Sequence, residues 1–324
     1  MFNLITVVYK PERCYLAMQA RSIQLYIPKN LLGNIYVIIN DDEMKTSDIN
    51  IEWWGENRDK VKILHYTQFF LLNNAKYEFY RSGWDTQQLC KIFASTICEE
   101  AWSIVLDAKT IFVKKVMIDK LITSDGKVKT GYTPSFTKQI KDINYDLTIF
   151  EKAERTVEKL FNIKIDELIS PNGVPFIFRN SIVRQMVRDV EILTKKPFNE
   201  FFLDNTDRNI CITEFILYSG YILYKYGTFE SFYYPLTTSN ELGSPRNLAH
   251  FNVSQFNHFL IDIKSPTTGT VSIPIATWSL LSEEQKLAYL TFLESKNILS
   301  NPKFALVVLD TVINEHFTIN TVIN

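Results

Sequence analysis

The sequence predicts an α/β protein of βαβ type, and three observations carry that reading. Short apolar runs rich in β-branched residues alternate with amphipathic helical patterns through the first third of the chain. Trp102–Leu106 is a near-continuous apolar run, as a strand buried on both faces requires. It stops at a single carboxylate, Asp107, and the carboxyl edge of an open α/β sheet is where ligands bind.

Taken in order, Leu4–Tyr9 reads as the first strand. Pro11 and Glu12 open a helix to about Leu25, with Leu16, Ala20 and Ile23 on one face and Pro28 and Gly33 ending it. Ile35–Ile39 is a second strand and Lys62–His65 a third. Asp85 is a candidate N-cap for a helix with Leu89, Ile92, Phe93 and Ile97 on its apolar stripe. Beyond residue 115, Lys127–Tyr132 reads as a strand and Leu147–Phe161 as a charged amphipathic helix. The turn Ser170-Pro171-Asn172-Gly173 leads into a strand, Val174–Phe178. A helix with Ile182, Met186, Val190 and Leu193 on one stripe comes next, then a helix over Thr213–Tyr226. Residues 236–272 are polar and turn-rich without a clear period; Ser282–Ser295 is a helix and Phe304–Leu309 a strand or short helix. With no repeat and no low-complexity linker, the second half is expected to pack onto the first.

Composition narrows the function. The 324 residues are 46% hydrophobic and 22% charged, enough apolar material for a substantial core. A formal net charge of −1 supplies no basic field, so a nucleic-acid partner is not expected. Four cysteines without a C-x-x-C pair read as reduced thiols of a cytosolic protein. The four histidines lack zinc-site spacing. There is no G-x-G-x-x-G or G-x-S-x-G, and the run Gly126 to Gly131 continues into Tyr132, so it is no P-loop. The first apolar run is too short for a signal peptide, and no stretch reaches the length of a transmembrane segment. The expectation is a cytoplasmic protein, either free or peripheral at the inner face of a membrane.

Four places could carry chemistry. Asp107 is either a ligand-binding carboxylate or the cap of a strand end. Gln87, Gln88 and Lys91 share the helix face opposite the apolar stripe; amides can read a base or ribose and an ammonium can neutralise a diphosphate, while a solvated polar face gives the same pattern. Asn40-Asp41-Asp42-Glu43 ends the second strand, where a carboxylate could accept from ribose hydroxyls, or the run is simply an acidic loop. Glu214 is the one charge on an otherwise apolar helix start. Helix-dipole complementarity explains an acid there, and so does general-base catalysis.

In combination these segments resemble a known family. The start Ile5-Thr6-Val7-Val8-Tyr9-Lys10, then Gly83-Trp84-x-x-Gln87-Gln88-x-x-Lys91, then Val105-Leu106-Asp107-Ala108-Lys109-Thr110-Ile111-Phe112, and finally Thr213-Glu214-Phe215-x-x-Tyr218-x-Gly220 resemble the DUF6492 family. Its members are similar to GT-A glycosyltransferases, and the resemblance runs from about residue 3 to about residue 230. It implies a GT-A-like, Rossmann-type mixed sheet flanked by helices, with a mostly helical C-terminal extension. Residues 1–115 would be the half that binds a nucleotide-sugar donor, 116–235 the acceptor half, and 236–324 the extension.

The implied activity is transfer of a sugar from a nucleotide-diphosphate sugar, a UDP-sugar above others, to a hydroxyl of a polysaccharide, glycan or lipid-linked acceptor. Thr6, Val8 and Tyr9 would lie along the base and Asp41 near the base or ribose. Gln88 and Lys91 would line the donor pocket, with Asp107, Ala108 and Lys109 facing the diphosphate. Asn172, Gly173 and Tyr218 would lie by the acceptor, Glu214 would be the base of an inverting transfer, and His250 an outside candidate for a diphosphate contact. The GT-A pattern at the strand end is Asp-x-Asp, holding Mn²⁺ or Mg²⁺. Here the third position is Lys109, so a metal at Asp107 competes with a lysine that neutralises phosphate directly. Two rival readings remain: a catalytically idle nucleotide-binding or interaction module of the same fold, and a nucleotidyltransferase. The second usually needs a glycine-rich loop, and residues 1–32 contain no glycine.

Overall fold

A computed structural model describes residues 1–68, 83–137, 149–169, 174–205, 211–236, 270–271 and 281–299, the pair 270–271 by backbone only. Asn172, Gly173, His250 and the proposed element at 304–309 lie outside these residues.

The main sheet forms where the β-branched runs predict it. β1 (Phe2–Val8), β2 (Leu32–Ile39), β3 (Val61–His65) and β4 (Trp102–Asp107) are parallel, and β8 (Phe176–Arg179) closes the order β3-β2-β1-β4-β8 antiparallel to β4. β1 and β4 are buried over nearly their whole length, which explains why neither alternates apolar with polar residues. The chain moves from β1 outward to β2 and β3, then returns to place β4 on the other side of β1. That reversal makes the carboxyl ends of β1 and β4 the switch point, where open α/β sheets have their ligand crevice.

Helices bring their amino-terminal turns to this crevice. α1 (Arg13–Tyr26) follows β1 through a single 3₁₀ turn, Lys10–Glu12. α2 (Gly83–Ile97) precedes β4, and the Asn40 side chain donates to the Gly83 carbonyl at 2.7 Å, tying its start to the end of β2. α7 (Glu214–Tyr226) is capped by Thr213, whose hydroxyl accepts from the Ile216 N–H, and closes on Gly227 at φ 72°.

The remaining elements build a second layer. β5 (Ile111–Phe112) pairs with β10 (Thr270–Val271), and β6 (Val128–Pro134) lies between β7 (Glu167–Ile169) and β9 (Tyr233–Leu236). α3 (Ile118–Leu121) is a short turn; α4 (Ile149–Phe161), α5 (Asn180–Thr194), α6 (Phe198–Asp204) and α8 (Glu283–Ser295) are further α-helices, and 3₁₀ turns at Thr46–Asp48 and Ile51–Lys60 lie between β2 and β3. α4 packs on α7 at Gly220, where a Cβ would come within 2.1 Å of a Val157 methyl, so only glycine permits this approach. Because β8 joins the main sheet and α5 and α7 pack on α2, the segment after residue 115 shares one core with the first.

Three local expectations change. Gly33 lies inside β2 and does not end α1; the chain leaves the helix at Ile27, before Pro28. The first helix is 3₁₀ through Pro11 and Glu12 and becomes α-helical only at Arg13. Asp85 is not a cap: α2 already includes Gly83, which puts Asp85 in its first turn.

Candidate functional site

A row of alternating charges lies at the carboxyl edge of β1 and β4. Asp107, the last residue of β4, is bracketed by two lysines. Lys91 Nζ is 3.1 Å from Oδ1 and Lys109 Nζ 3.0 Å from Oδ2. Lys91 reaches on to Glu214 Oε1 at 3.3 Å, and Lys109 to Glu12 Oε1 at 3.7 Å. The order Glu214–Lys91–Asp107–Lys109–Glu12 joins α7, α2, β4, the turn after β4 and the turn after β1.

Local structure explains each position. Lys91 lies one helical turn after Gln87, whose amide donates to Asp107 Oδ1 at 3.3 Å, so both reach one carboxylate from one helix. Gln88 points to α7 and accepts from the Glu214 backbone N–H at 3.3 Å. This polar face is buried, not solvated: Gln88 and Lys91 are 2% and 5% exposed. The face turns inward because α7 and the end of β4 supply partners for it. The turn carrying Lys109 is held by Gln19 of α1, whose amide donates to the carbonyls of Asp107 (2.8 Å) and Thr110 (2.9 Å) and accepts from the Thr6 hydroxyl.

Burial and charge set the acidities. Burial pushes the Asp107 carboxyl up, but Lys109 and Lys91 more than offset this and hold it well below the usual carboxylate range. Burial depresses both lysines, and the carboxylates on either side overcome it, raising each above an ordinary ammonium. At the ends of the row desolvation wins. The Glu214 carboxyl is raised by burial because its lysine is shared with Asp107. Glu12 is pushed up to about 7 by burial, which Lys109 only partly relieves. Glu12 Oε2 is buried with no hydrogen-bond partner among the described residues, and so is the Gln88 amide nitrogen.

The other predicted residues fall in two groups. Tyr9 is partly exposed beside the row, close enough for Glu12, Lys109 and Asp107 to influence its phenol, which burial chiefly raises. Ala108 is buried within the turn. Three further expectations fall on side chains that the protein engages itself. The side chains of Thr6 and Val8 are buried in the packed interior, Thr6 engaged with Gln19, so neither is free to lie along a base. Tyr218 is fully buried: its hydroxyl accepts from the Arg179 N–H at 3.0 Å and meets the Tyr233 hydroxyl at 2.6 Å, so it is a core residue, not an acceptor contact. The Asp41 carboxylate caps its own loop, accepting from the backbone N–H groups of Lys10, Glu43 and Met44. Glu12 and Gln19 were missed by sequence reasoning. The available signal was Gln19 itself, a polar residue three positions after Leu16 on an apolar helix face.

A divalent cation does not fit at Asp107. Such an ion needs several oxygen ligands, and here both carboxylate oxygens already face ammonium groups within 3.1 Å. The two lysines can do what a cation does at a diphosphate: lend positive charge from a partly dehydrated position. Glu214, a carboxylate of raised basicity held by one of those lysines, can accept a proton.

No helix among the described residues is long and apolar enough to cross a membrane. No curated protein matches the chain. Among solved structures, the chain is similar to the apo form of the bifunctional glycosyltransferase WbbM, with a TM-score of 0.45 and 12% identity over 90% of this chain and 49% of that one. It therefore spans about half the length of WbbM. It is also similar to the galactosyltransferase LgtC in complex with donor and acceptor sugar analogues (TM-score 0.37, 11% identity, 68% of this chain and 70% of that one). A third is the apo form of mouse xyloside xylosyltransferase 1 (TM-score 0.38, 10% identity, 81% and 91%). The sequence itself matches a family model over residues 8–258, a span that contains every member of the charged row: this chain belongs to DUF6492, a family of unknown function.

Proposed function

We propose that this protein is a GT-A-like glycosyltransferase that moves a sugar from a nucleotide-diphosphate sugar, a UDP-sugar above others, to a hydroxyl of a glycan, polysaccharide or lipid-linked acceptor on the cytoplasmic side of the cell. The observation that carries the reading is the largely buried row Asp107–Lys91–Glu214, with Lys109 on the other side of Asp107, at the carboxyl edge of parallel strands. Cleaving the donor leaves a nucleoside diphosphate, whose developing charge needs a positive partner. Lys109, the more exposed of the two lysines, is the group that meets it. Asp107 holds the lysines apart, and Gln19 fixes the turn on which Lys109 stands. This reading makes donor binding independent of a divalent metal.

Glu214 is the base. Its position one lysine away from Asp107 supports deprotonation of an acceptor hydroxyl as the sugar leaves the diphosphate, the proton transfer that an inverting mechanism needs. Lys91 links the two events. A diphosphate that draws Lys91 toward itself weakens the ion pair at Glu214 and frees that carboxylate to accept.

Thermal shift with UDP, GDP, CDP and CMP, each with and without Mn²⁺, tests the donor site. A ligand at a hundred times its dissociation constant adds about 2.7 kcal/mol of stability. One nucleoside diphosphate should shift the transition equally with and without metal. Glu214→Gln should then keep that shift and lose transfer by about 10²-fold or more. A protein that ignores all four nucleotides is the idle interaction module instead, and full turnover in Glu214→Gln removes Glu214 from the base role.

A further inference from the structure

The charged row is not balanced. It holds three carboxylates, Glu12, Asp107 and Glu214, against two ammonium groups, Lys91 and Lys109. The ion-pair distances identify the carboxylate left over. Lys109 sits 3.0 Å from Asp107 and 3.7 Å from Glu12, and the second oxygen of Glu12 has no partner among the described residues. Glu12 is only 3% exposed, so water does little to compensate. With every group ionised, the row carries one net negative charge at the place where, on the reading above, an anionic diphosphate must come.

We propose that Glu12 is a positioning residue for Lys109, and that an anionic ligand at Lys109 binds together with one proton taken from solvent by the Glu12 carboxylate. This rests on the glycosyltransferase reading and adds a coupling to it. In the free protein Lys109 lies between Asp107 and Glu12, with Glu12 as its second, longer partner. A diphosphate attracts that ammonium, and Glu12 loses the one cation it touches among the described residues. A buried carboxylate without a counter-charge takes a proton: an O–H bond forms on Glu12, the proton comes from the buffer, and the row with its ligand carries one negative charge fewer.

The groups that face Glu12 permit this. Lys109 is in contact, and Asp107 and Lys91 act across the row. Tyr9 lies beside it, and Arg13, Cys14 and Tyr15 follow it in the chain. Burial raises the thiol of Cys14 to about 12 and the phenols of Tyr9 and Tyr15 above their ordinary values, so among these neighbours it is Glu12 that changes charge near neutrality.

Calorimetric titration with UDP-glucose and GDP-mannose, in buffers of different ionisation heat and with chelator present, reads the coupling directly. The two phosphates of a nucleotide sugar carry no proton that titrates near neutral pH, so any uptake belongs to the protein. The intact protein should take up between half and one proton at about pH 7.5, and its Kd should weaken about eightfold between about pH 7.5 and about pH 8.5. In Glu12→Gln the uptake should vanish and the Kd change less than about twofold over that range. Binding without proton uptake overturns this inference and leaves the glycosyltransferase reading standing. Uptake that survives in Glu12→Gln assigns the proton elsewhere and also overturns it; absence of binding by both nucleotide sugars overturns the two together. Should Glu12→Gln not fold, infrared difference spectra of the intact protein decide the point. A protonated carboxyl band must appear on ligand addition, and its absence is a refutation.

Discussion

The protein buries carboxylates in two ways, and the contrast separates scaffold from site. Glu154 of α4 is fully buried and surrounded by neutral donors. The hydroxyls of Ser135 and Thr137 and the backbone N–H groups of Phe136 and Thr137 all point at it, at 2.8 Å from Phe136 and 3.3 Å from Thr137. Those dipoles are fixed by the loop they belong to, so the carboxylate and the loop lock each other. At the sheet edge Glu12 and Glu214 are buried too and Asp107 is largely so, but their partners are two lysine ammonium groups on flexible stems, shared among all three. A shared, movable partner can be handed to a ligand; a fixed dipole cannot. The cradle of Glu154 builds structure, while the edge row keeps charge available for chemistry.

The largest expected effect comes from removing the centre of the row. Asp107→Asn leaves a buried and a partly buried ammonium group, Lys91 and Lys109, on either side of a neutral amide, and should cost about 4 kcal/mol. Urea denaturation at neutral pH measures this; a loss below about 1 kcal/mol would mean that the lysines find other partners. Next is the cradle. Glu154→Ala strands several donors and should cost about 3 kcal/mol, with no change in nucleotide affinity once the folded fraction is taken into account. An altered affinity would join the two regions that the comparison separates.

The third effect has the opposite sign. The Glu12 carboxyl lies at about 7 in the folded protein against an ordinary 4.5, so the folded state holds the extra proton between those values. Stability contributed by Glu12 therefore falls as pH rises from the lower value through the upper one. Glu12→Gln, which never ionises, should be more stable than the parent above pH 7 by up to about 3 kcal/mol. The advantage should vanish at about pH 4. A variant that is no more stable at alkaline pH would show that Glu12 is better compensated than its single lysine allows.

Legibility in the sequence followed the range of the interactions involved. β1, β2, β4 and α7 could be placed because each rests on a local pattern: β-branched runs, a carboxylate stop, a threonine cap. Asp107, Lys109 and Glu214 stood out because each is a charge next to an apolar run. Tyr218 was misread for the same reason that Gln88 was left open. Whether a polar side chain faces water, a ligand or another side chain depends on what crosses it from elsewhere in the chain. Tyr218 met Tyr233 and the Arg179 backbone, and Gln88 met the amide of Glu214. Neither meeting is written in a spacing.

By itself the sequence determined the α/β class, the strand ends and which residue types stand at the sheet edge, since these depend on hydrophobic period and near-neighbour chemistry. Only the tertiary structure decided that Lys91 and Lys109 saturate Asp107, that Glu12 is the unbalanced acid, and that Thr6 and Tyr218 belong to the core. The physical reason is distance. Charges more than a hundred positions apart, such as Lys91 and Glu214, interact only once folding brings them within a few ångströms and removes the water between them.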